Sequence, residues 1–134
     1  MNHSFTTFFF AATLFVALTT PFVPAAASAG QPSGTVVAGM EAPDFSADVG
    51  EAVDFRLSAL RGRTVILYFY PKDDTPGCTR EALEFQRHAS AFRSLGAVVV
   101  GVSRDDLDSH REFAADLQLT FTLVPDPDGR IHDL

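Results

Sequence analysis

The sequence predicts an α/β domain in which helices flank a mostly parallel central sheet. Two apolar runs, at 64–70 and 97–102, have the length and composition of buried strands. Between them Ala82, Phe85, Ala89 and Phe92 recur at the spacing of an amphipathic helix. A strand, a helix and a second strand form a right-handed crossover, so the two strands should be parallel. The length of 134 residues fits one such domain.

The charge distribution argues against nucleic acid as a partner. The net charge is −7, and the ten Lys and Arg residues are scattered among seventeen Asp and Glu residues. Phosphate binding needs clustered positive charge, which the sequence lacks.

The first 29 residues contain no Lys, Arg, Asp or Glu. An apolar core from Phe5 to Leu18 and the small residues Ala27-Ser28-Ala29 predict a secretory signal peptide at 1–29. A flexible linker at 30–38 and a domain at 39–134 would follow. The protein would then be periplasmic or extracellular, with no stable membrane association once the leader is cleaved. Because no Lys or Arg precedes the apolar core, an uncleaved anchor and a misassigned start codon remain alternatives.

The segments before the first buried run predict small elements. Apolar and polar residues alternate on both sides of a turn at 48–51, which predicts a β-hairpin at 45–57. A short helical turn at 58–62 leads into the strand 64–70, which Pro71 ends. Since this strand is apolar on both faces, we expect it at the centre of the sheet, with helices on each side.

The segments after Pro71 continue the α/β pattern. Thr75 as N-cap and Pro76 at the first position predict a helix that Gly96 ends. A second helix is expected at 107–117, with Asp106 or Asp108 near its start, and a third strand at 121–124. From Asp126 onward the sequence predicts either a hairpin turn and strand or a helix start. The sequence therefore reads as C-terminally incomplete.

Cys78 is the one cysteine in the sequence, and the helix pattern places it in a first turn. A lone cysteine is often a small buried hydrophobe, but in an exported protein it is also a candidate reactive thiol. The unpaired N–H groups of a helix start, here those of Gly77 and Cys78, favour a thiolate. The Thr75 hydroxyl could donate near the sulfur, and Pro71 could restrict water. Such a thiolate can attack an O–O bond and become a sulfenic acid.

Residues 68–82 resemble the active-site segment of the peroxiredoxins, most closely the bacterioferritin-comigratory or Q type. The family motif P-x-x-x-T-x-x-C falls on Pro71, Thr75 and Cys78. The resemblance extends over 39–45, 102–105, 109–110 and 126–129. It implies a thioredoxin-like fold, here without the C-terminal strands and helix, and a cofactor-free monomer or weak dimer. It also implies that Cys78 reduces hydrogen peroxide and organic hydroperoxides in antioxidant defence and redox homeostasis, with thioredoxin or another thiol as reductant.

Two departures from the family pattern qualify this expectation. Leu83 stands where many relatives carry a resolving cysteine, which implies a 1-Cys cycle. The family's active-site Arg belongs to a later strand that the sequence does not reach. Arg80 and Arg104 are the nearest cations, and Arg104 is the candidate because it follows the second parallel strand. Without the later strands, 64–70 would be an exposed edge. The rival hypothesis is an inactive thioredoxin-like remnant or binding module.

The remaining polar and aromatic candidates favour structural roles. His88 and His110 lie far apart without clustered ligands, so we expect helix-surface positions and no metal site. Glu81 suits the first turn of a helix through the helix dipole. Tyr68 and Tyr70 are expected to be core or rim aromatics.

Overall fold

The structure is a computed structural model that describes residues 36–50 and 54–134. The leader predicted at 1–29, and the linker up to residue 35, lie outside the described residues. The elements, in chain order, are β1 (Ser46–Ala47), β2 (Phe55–Arg56), a 3₁₀ helix (Leu57–Leu60), β3 (Val65–Phe69), α1 (Pro76–Ser94), β4 (Val98–Ser103), α2 (Leu107–Asp116) and β5 (Thr122–Pro125).

Strands β3, β4 and β5 form a three-stranded sheet in that order, and both pairs are parallel. The predicted parallel pairing is confirmed, with Val65 opposite Val98 and Val100 opposite Thr122. β4 is the central strand of this sheet, and its Val100 and Val102 are fully buried. The central position that the apolar pattern alone suggested for 64–70 is wrong for the described sheet. β3 is an edge strand, as expected for a sheet without the later strands, and its Phe69 is 46% exposed.

Both helices cover the same face of the sheet. The core on this side, called the helix-side core below, joins α1, α2 and β5 through the buried residues Tyr70, Cys78, Ala82, Phe113 and Leu123. Two right-handed crossovers that step across a sheet in the same direction place their helices on one face. The sequence analysis predicted helices on both faces, whereas the opposite core is covered by the N-terminal hairpin and the C-terminal turns. It contains Val100, Val102, Val124 and Ile131, with Phe45 and Phe55 packed against them.

The predicted hairpin at 45–57 is confirmed by the antiparallel pair β1 and β2, although each strand has only two residues. The rings of Phe45 and Phe55 lie 5.7 Å apart. The Leu57 N–H donates to the Phe45 carbonyl at 3.0 Å, which carries the pairing into the 3₁₀ helix.

The helix boundaries follow the sequence signals. Thr75 is the N-cap of α1 and Pro76 is its first residue, as predicted. Gly96 adopts a φ of +71°, a left-handed conformation that suits glycine and stops the helix. Asp106 caps α2, and its carboxylate accepts the Ser109 N–H at 2.9 Å. Within the described ranges, neither helix is long and apolar enough to cross a membrane.

The last residues form turns, so neither the strand nor the helix predicted after Asp126 is present in the described chain. The buried Asp126 carboxylate accepts the N–H groups of Ile131 and His132, each at 3.0 Å. The Nδ1 of His132 lies 2.6 Å from the same carboxylate. The Asp126 side chain therefore accepts the backbone N–H groups that would otherwise pair within a strand or helix, and the chain forms a turn at this point.

Asp126→Asn should lower the free energy of unfolding by about 1–3 kcal/mol at pH 7, since Asn cannot replace both acceptor oxygens of a buried carboxylate. Burial raises the pKa of Asp126, but hydrogen bonds from the His132 side chain and the Ile131 and His132 N–H groups outweigh burial and leave it below 3.8. Because the pKa of Asp126 is lower in the folded than in the unfolded protein, the ionised carboxylate stabilises the fold fully at pH values above its unfolded-state pKa. This stabilisation is lost as the pH falls through the folded-state pKa. The difference from wild type should therefore be present at about pH 5 and shrink below about pH 4.

Urea unfolding at several pH values measures this difference. Asp128→Asn is the matched control, because Asp128 lies in the same turn but is exposed. The account of this turn would be wrong if the two variants were equally stable at neutral pH.

Candidate active site

Cys78 is the third residue of α1, and its side chain is only 7% exposed. It lies in the helix-side core with Tyr70 and Ala82. Its thiol is free. The predicted nucleophile is therefore in the first helical turn, as expected, and its side chain is buried in the helix-side core.

The first turn of α1 supplies backbone hydrogen-bond donors next to Cys78. Pro76 has no N–H, and the N–H groups of Gly77 and Cys78 precede the first helical bond, which runs from Thr79 to the Thr75 carbonyl at 2.9 Å. Gly77 is exposed, and no heavy atom would lie within 4 Å of a Cβ placed on it. Its backbone can therefore be approached by a small anion or a polarised oxygen.

Thr75 uses its hydroxyl within the loop. The Oγ1 donates to the Lys72 carbonyl at 3.1 Å and makes no capping bond to the helix. The sequence analysis expected this hydroxyl to donate to an oxygen near the sulfur. In the structure its hydrogen closes the turn before α1, and its lone pairs remain available as acceptors.

Pro71 and Arg104 lie on the same cleft, which has a volume of about 390 Å³ and is lined by Phe69, Tyr70, Pro71, Arg104 and His132. The Arg104 guanidinium passes closely over Gly129, where a Cβ would lie 2.6 Å from Nη2. Cys78 does not line this cleft, but Tyr70 connects the two, since it lies on the cleft and packs in the helix-side core with Cys78. Arg80 is exposed on α1 and does not line it.

A buried carboxylate that the sequence analysis did not single out lies at the centre of the loop. Asp73 is 4% exposed, and it accepts hydrogen bonds from the hydroxyl of Tyr70 at 2.7 Å and that of Ser109 at 2.8 Å. The Nδ1 of His110 lies 2.8 Å from the same carboxylate. Because a carboxylate only accepts, Nδ1 must carry the proton. These four residues are called the Asp73 network below.

The backbone of Asp73 is held as well. Its N–H donates to the Asp105 carboxylate at 2.8 Å, and the same oxygen accepts the Ser103 hydroxyl at 2.7 Å. Ser103 ends β4, and Asp105 lies in the connection to α2. The loop before Cys78 is thus bonded to the end of the neighbouring strand and, through the Asp73 network, to the first turn of α2.

The hydrogen bonds of the Asp73 network favour an ionised Asp73 and a neutral Tyr70. Burial raises the pKa of Asp73, but hydrogen bonds from His110, Tyr70 and Ser109 outweigh it and leave the pKa below 3.8. Burial, together with the hydrogen bond to Asp73, raises the pKa of Tyr70, which therefore stays a neutral donor. Burial also raises the pKa of Tyr68, reinforced by the charges of Glu81, Asp73 and Cys78.

The structure corrects the placement of His110. It is 2% exposed, whereas the sequence analysis predicted a helix-surface position. The spacing of His110, Phe113 and Leu117 contained the signal, since it places the histidine on the apolar face of α2. His88 is exposed, as predicted. Across the described ranges, no cluster of three or more His, Cys, Asp or Glu side chains has the arrangement of a metal site.

Comparisons with known proteins identify the family. Residues 38–134 match the model of the AhpC/TSA family. The putative peroxiredoxin bcp of Coxiella burnetii is 42% identical over 97 residues, which are 72% of this chain and 64% of that protein. The chloroplastic peroxiredoxin Q of Triticum aestivum is 40% identical over 106 residues, 79% of this chain and 49% of that protein.

A solved structure gives the same result for the fold. The bacterioferritin comigratory protein of Xanthomonas campestris superposes with a TM-score of 0.58 and 42% identity over 59% of this chain and 50% of that chain. The chain thus spans less than two-thirds of the length of each of these three relatives. Since the family model covers most of the sequence, the chain belongs to the AhpC/TSA family, has its thioredoxin-like peroxiredoxin fold, and is similar to the peroxiredoxins of the bcp and Q types.

Proposed function

We propose that this chain is a thiol peroxidase that reduces hydrogen peroxide and organic hydroperoxides through Cys78. The observation that carries the proposal is the position of Cys78 in the first turn of α1, directly after the loop that contains Pro71 and Thr75 of the family motif. The Xanthomonas relative is described as having alkyl peroxide reduction activity, which supports organic hydroperoxides as substrates here.

The reaction follows from a thiolate beside unpaired N–H groups. The sulfur attacks one peroxide oxygen, so that an S–O bond forms as the O–O bond breaks. The sulfur is oxidised to a sulfenic acid, and the departing oxygen takes up a proton to leave as water or an alcohol. The N–H groups of Gly77 and Cys78 stabilise the negative charge on the sulfur and on the departing oxygen. Pro71, which lacks an N–H, shields the loop side of the site.

The source of a second thiol determines how the Cys78 sulfenic acid is reduced back to the thiol. Leu83 occupies the position at which many relatives carry a resolving cysteine and is exposed, so this position supplies no thiol to attack the sulfenic acid. An external thiol attacks the Cys78 sulfur instead, water leaves, and a second thiol reduces the mixed disulfide. Thioredoxin or another thiol donor fills this role in a 1-Cys cycle.

Arg104 is the proposed cation of the site, since it shares a cleft with Pro71. Its guanidinium would attract the thiolate and orient a peroxide that enters from this side. The leader at 1–29 would direct the protein to the periplasm or the extracellular space, where it would act in antioxidant defence as a monomer or weak dimer.

Cys78→Ser should reduce peroxide consumption to the rate of the reductant alone, because a hydroxyl cannot replace the thiolate nucleophile. Consumption is followed with dithiothreitol as reductant, and the sulfenic acid is trapped with dimedone and detected by mass spectrometry. Circular dichroism of the variant controls for folding. Turnover by the variant would refute the assignment. A folded wild-type chain that forms no sulfenic acid would favour the inactive remnant or binding module.

Arg104→Gln should lower kcat/KM for peroxide about fivefold, the effect of losing roughly 1 kcal/mol from an exposed charge interaction. Arg104→Lys should retain part of the activity, since it keeps the charge and loses the planar guanidinium. Arg80→Gln is the matched control, because Arg80 is an exposed cation near the start of the same helix as Cys78. Equal losses in Arg104→Gln and Arg80→Gln would mean that Arg104 has no specific role in the site.

A further inference from the structure

We propose that Asp73 is a positioning residue whose buried carboxylate, bonded to Tyr70, Ser109 and His110, latches the loop between β3 and α1 closed over Cys78. This inference rests on the proposed peroxidase function and adds a residue that controls access to its sulfur. Asp73 does not line the cleft, and its hydrogen bonds go to Tyr70, Asp105, Ser109 and His110, so we infer that it acts through the loop.

The contacts of Asp73 join parts of the chain that are distant in sequence. Ser109 and His110 are 36 and 37 residues away, and Asp105 is 32 residues away. Hydrogen bonds of this kind fix the loop relative to another element and do not merely shape the loop itself. The carboxylate holds the first turn of α2, and the Asp73 N–H holds the connection from β4 to α2.

Asp73 stands midway between the two loop residues of the family motif, two after Pro71 and two before Thr75. Asp74, next in the chain, has a φ of +59°, which is disfavoured for a residue that carries a Cβ. Bonds on either side of this strained residue hold it, namely those of Asp73 and the bond from the Thr75 hydroxyl to the Lys72 carbonyl. Release of the Asp73 carboxylate would let the strained turn relax and carry Pro71 and Thr75 out of position.

Because Cys78 is buried, the hydrogen bonds of Asp73 that hold the loop, called the latch below, should affect two reactions of its sulfur in opposite directions. Hydrogen peroxide is small, and its reaction benefits from a loop that is fixed before it binds. A thiol reductant or an alkylating agent is larger and must reach a sulfur that is 7% exposed, which requires local opening of the loop. The closed loop should therefore favour the reaction of the sulfur with hydrogen peroxide, and should slow both its alkylation and the attack of a thiol reductant on its sulfenic acid.

The test measures two reactions of the same sulfur in Asp73→Asn and Asp74→Asn. The first reaction is the single-turnover oxidation of reduced Cys78 by hydrogen peroxide. The second is its alkylation by iodoacetamide, in which the sulfur displaces iodide and no oxidant is needed. Alkylation is measured at a pH where its rate no longer rises with pH, so that the rate reports access to the sulfur and not its ionisation.

We expect Asp73→Asn to slow the peroxide reaction about tenfold and to speed alkylation by up to about tenfold, the size of effect expected for a lost charged hydrogen bond. Asp74→Asn should leave both rates at the wild-type values, since Asp74 is exposed and Asn tolerates its conformation. Urea unfolding of the same variants separates the latch from global unfolding, which would speed alkylation only in proportion to the lost stability and would leave the peroxide reaction of the folded molecules unchanged. Changes in the same direction, or wild-type rates for Asp73→Asn, would overturn the proposal.

Ser109→Ala is the milder variant should Asp73→Asn fail to fold. It removes one hydroxyl donor from the network and leaves the Ser109 N–H bonded to Asp106. The same opposite changes are expected at smaller size, and their absence would equally contradict the latch. A wild-type chain that does not react with peroxide would refute the proposed peroxidase, while the alkylation rates of the variants would still decide whether the latch exists.

Discussion

The buried carboxylate of Asp73 is the constraint on which the candidate site depends. A charge removed from water is strongly unfavourable unless hydrogen-bond donors surround it. Here the donors come from the end of β3 and from the start of α2, while the Asp73 backbone is bonded beyond the end of β4. These segments can meet because the parallel strands end at one edge of the sheet, where α/β proteins place their sites. The need to satisfy one charge thus brings together the parts of the chain that surround Cys78.

The position of Cys78 combines two requirements that oppose each other. The helix start offers unpaired N–H groups beside the sulfur, and burial against Tyr70 and Ala82 excludes water and large reactants. Yet a sulfur at this depth must become accessible again if an external thiol is to reduce it. The loop above it can meet both needs because it is held by side-chain hydrogen bonds, which can open locally without disturbing the sheet.

Local patterns in the sequence predicted most of the elements. The start of α1 at Thr75 and Pro76, the cap of α2 by Asp106 and the parallel strands all depend on residues close together in the chain. The apolar pattern of 64–70 alone suggested a central strand, because apolar residues report how many faces of a strand are buried and not whether both of its edges are paired. The edge position of β3 followed only from the family resemblance, which places the neighbouring strands later in the chain. Asp73 was missed because its partners at 109 and 110 lie far away in the sequence, and nothing near Asp73 reveals them. His110 could have been found from its phase with Phe113 on α2.

Asp73 and Asp126 are both buried and hydrogen-bonded, but they stabilise different parts of the structure. Their hydrogen-bond donors lie at different separations along the sequence. Asp126 accepts N–H groups only five and six residues away, so its carboxylate sets the shape of a terminal turn. Asp73 accepts from a separate helix, so its carboxylate sets the position of one element against another. The cleft lies between the two, since Tyr70 donates to Asp73, the His132 ring contacts Asp126, and both side chains line it.

Arg104 enters this cleft from the end of β4, the central strand of the described sheet. Its guanidinium lies over Gly129 in the turn that Asp126 closes, while Pro71 opposite belongs to the loop that Asp73 holds. The two side chains thus line one cleft from two segments that different buried carboxylates hold, Asp126 on the Arg104 side and Asp73 on the Pro71 side. A change at either carboxylate would alter the geometry of the cleft, but only a change at Asp73 would also move the loop that covers the sulfur.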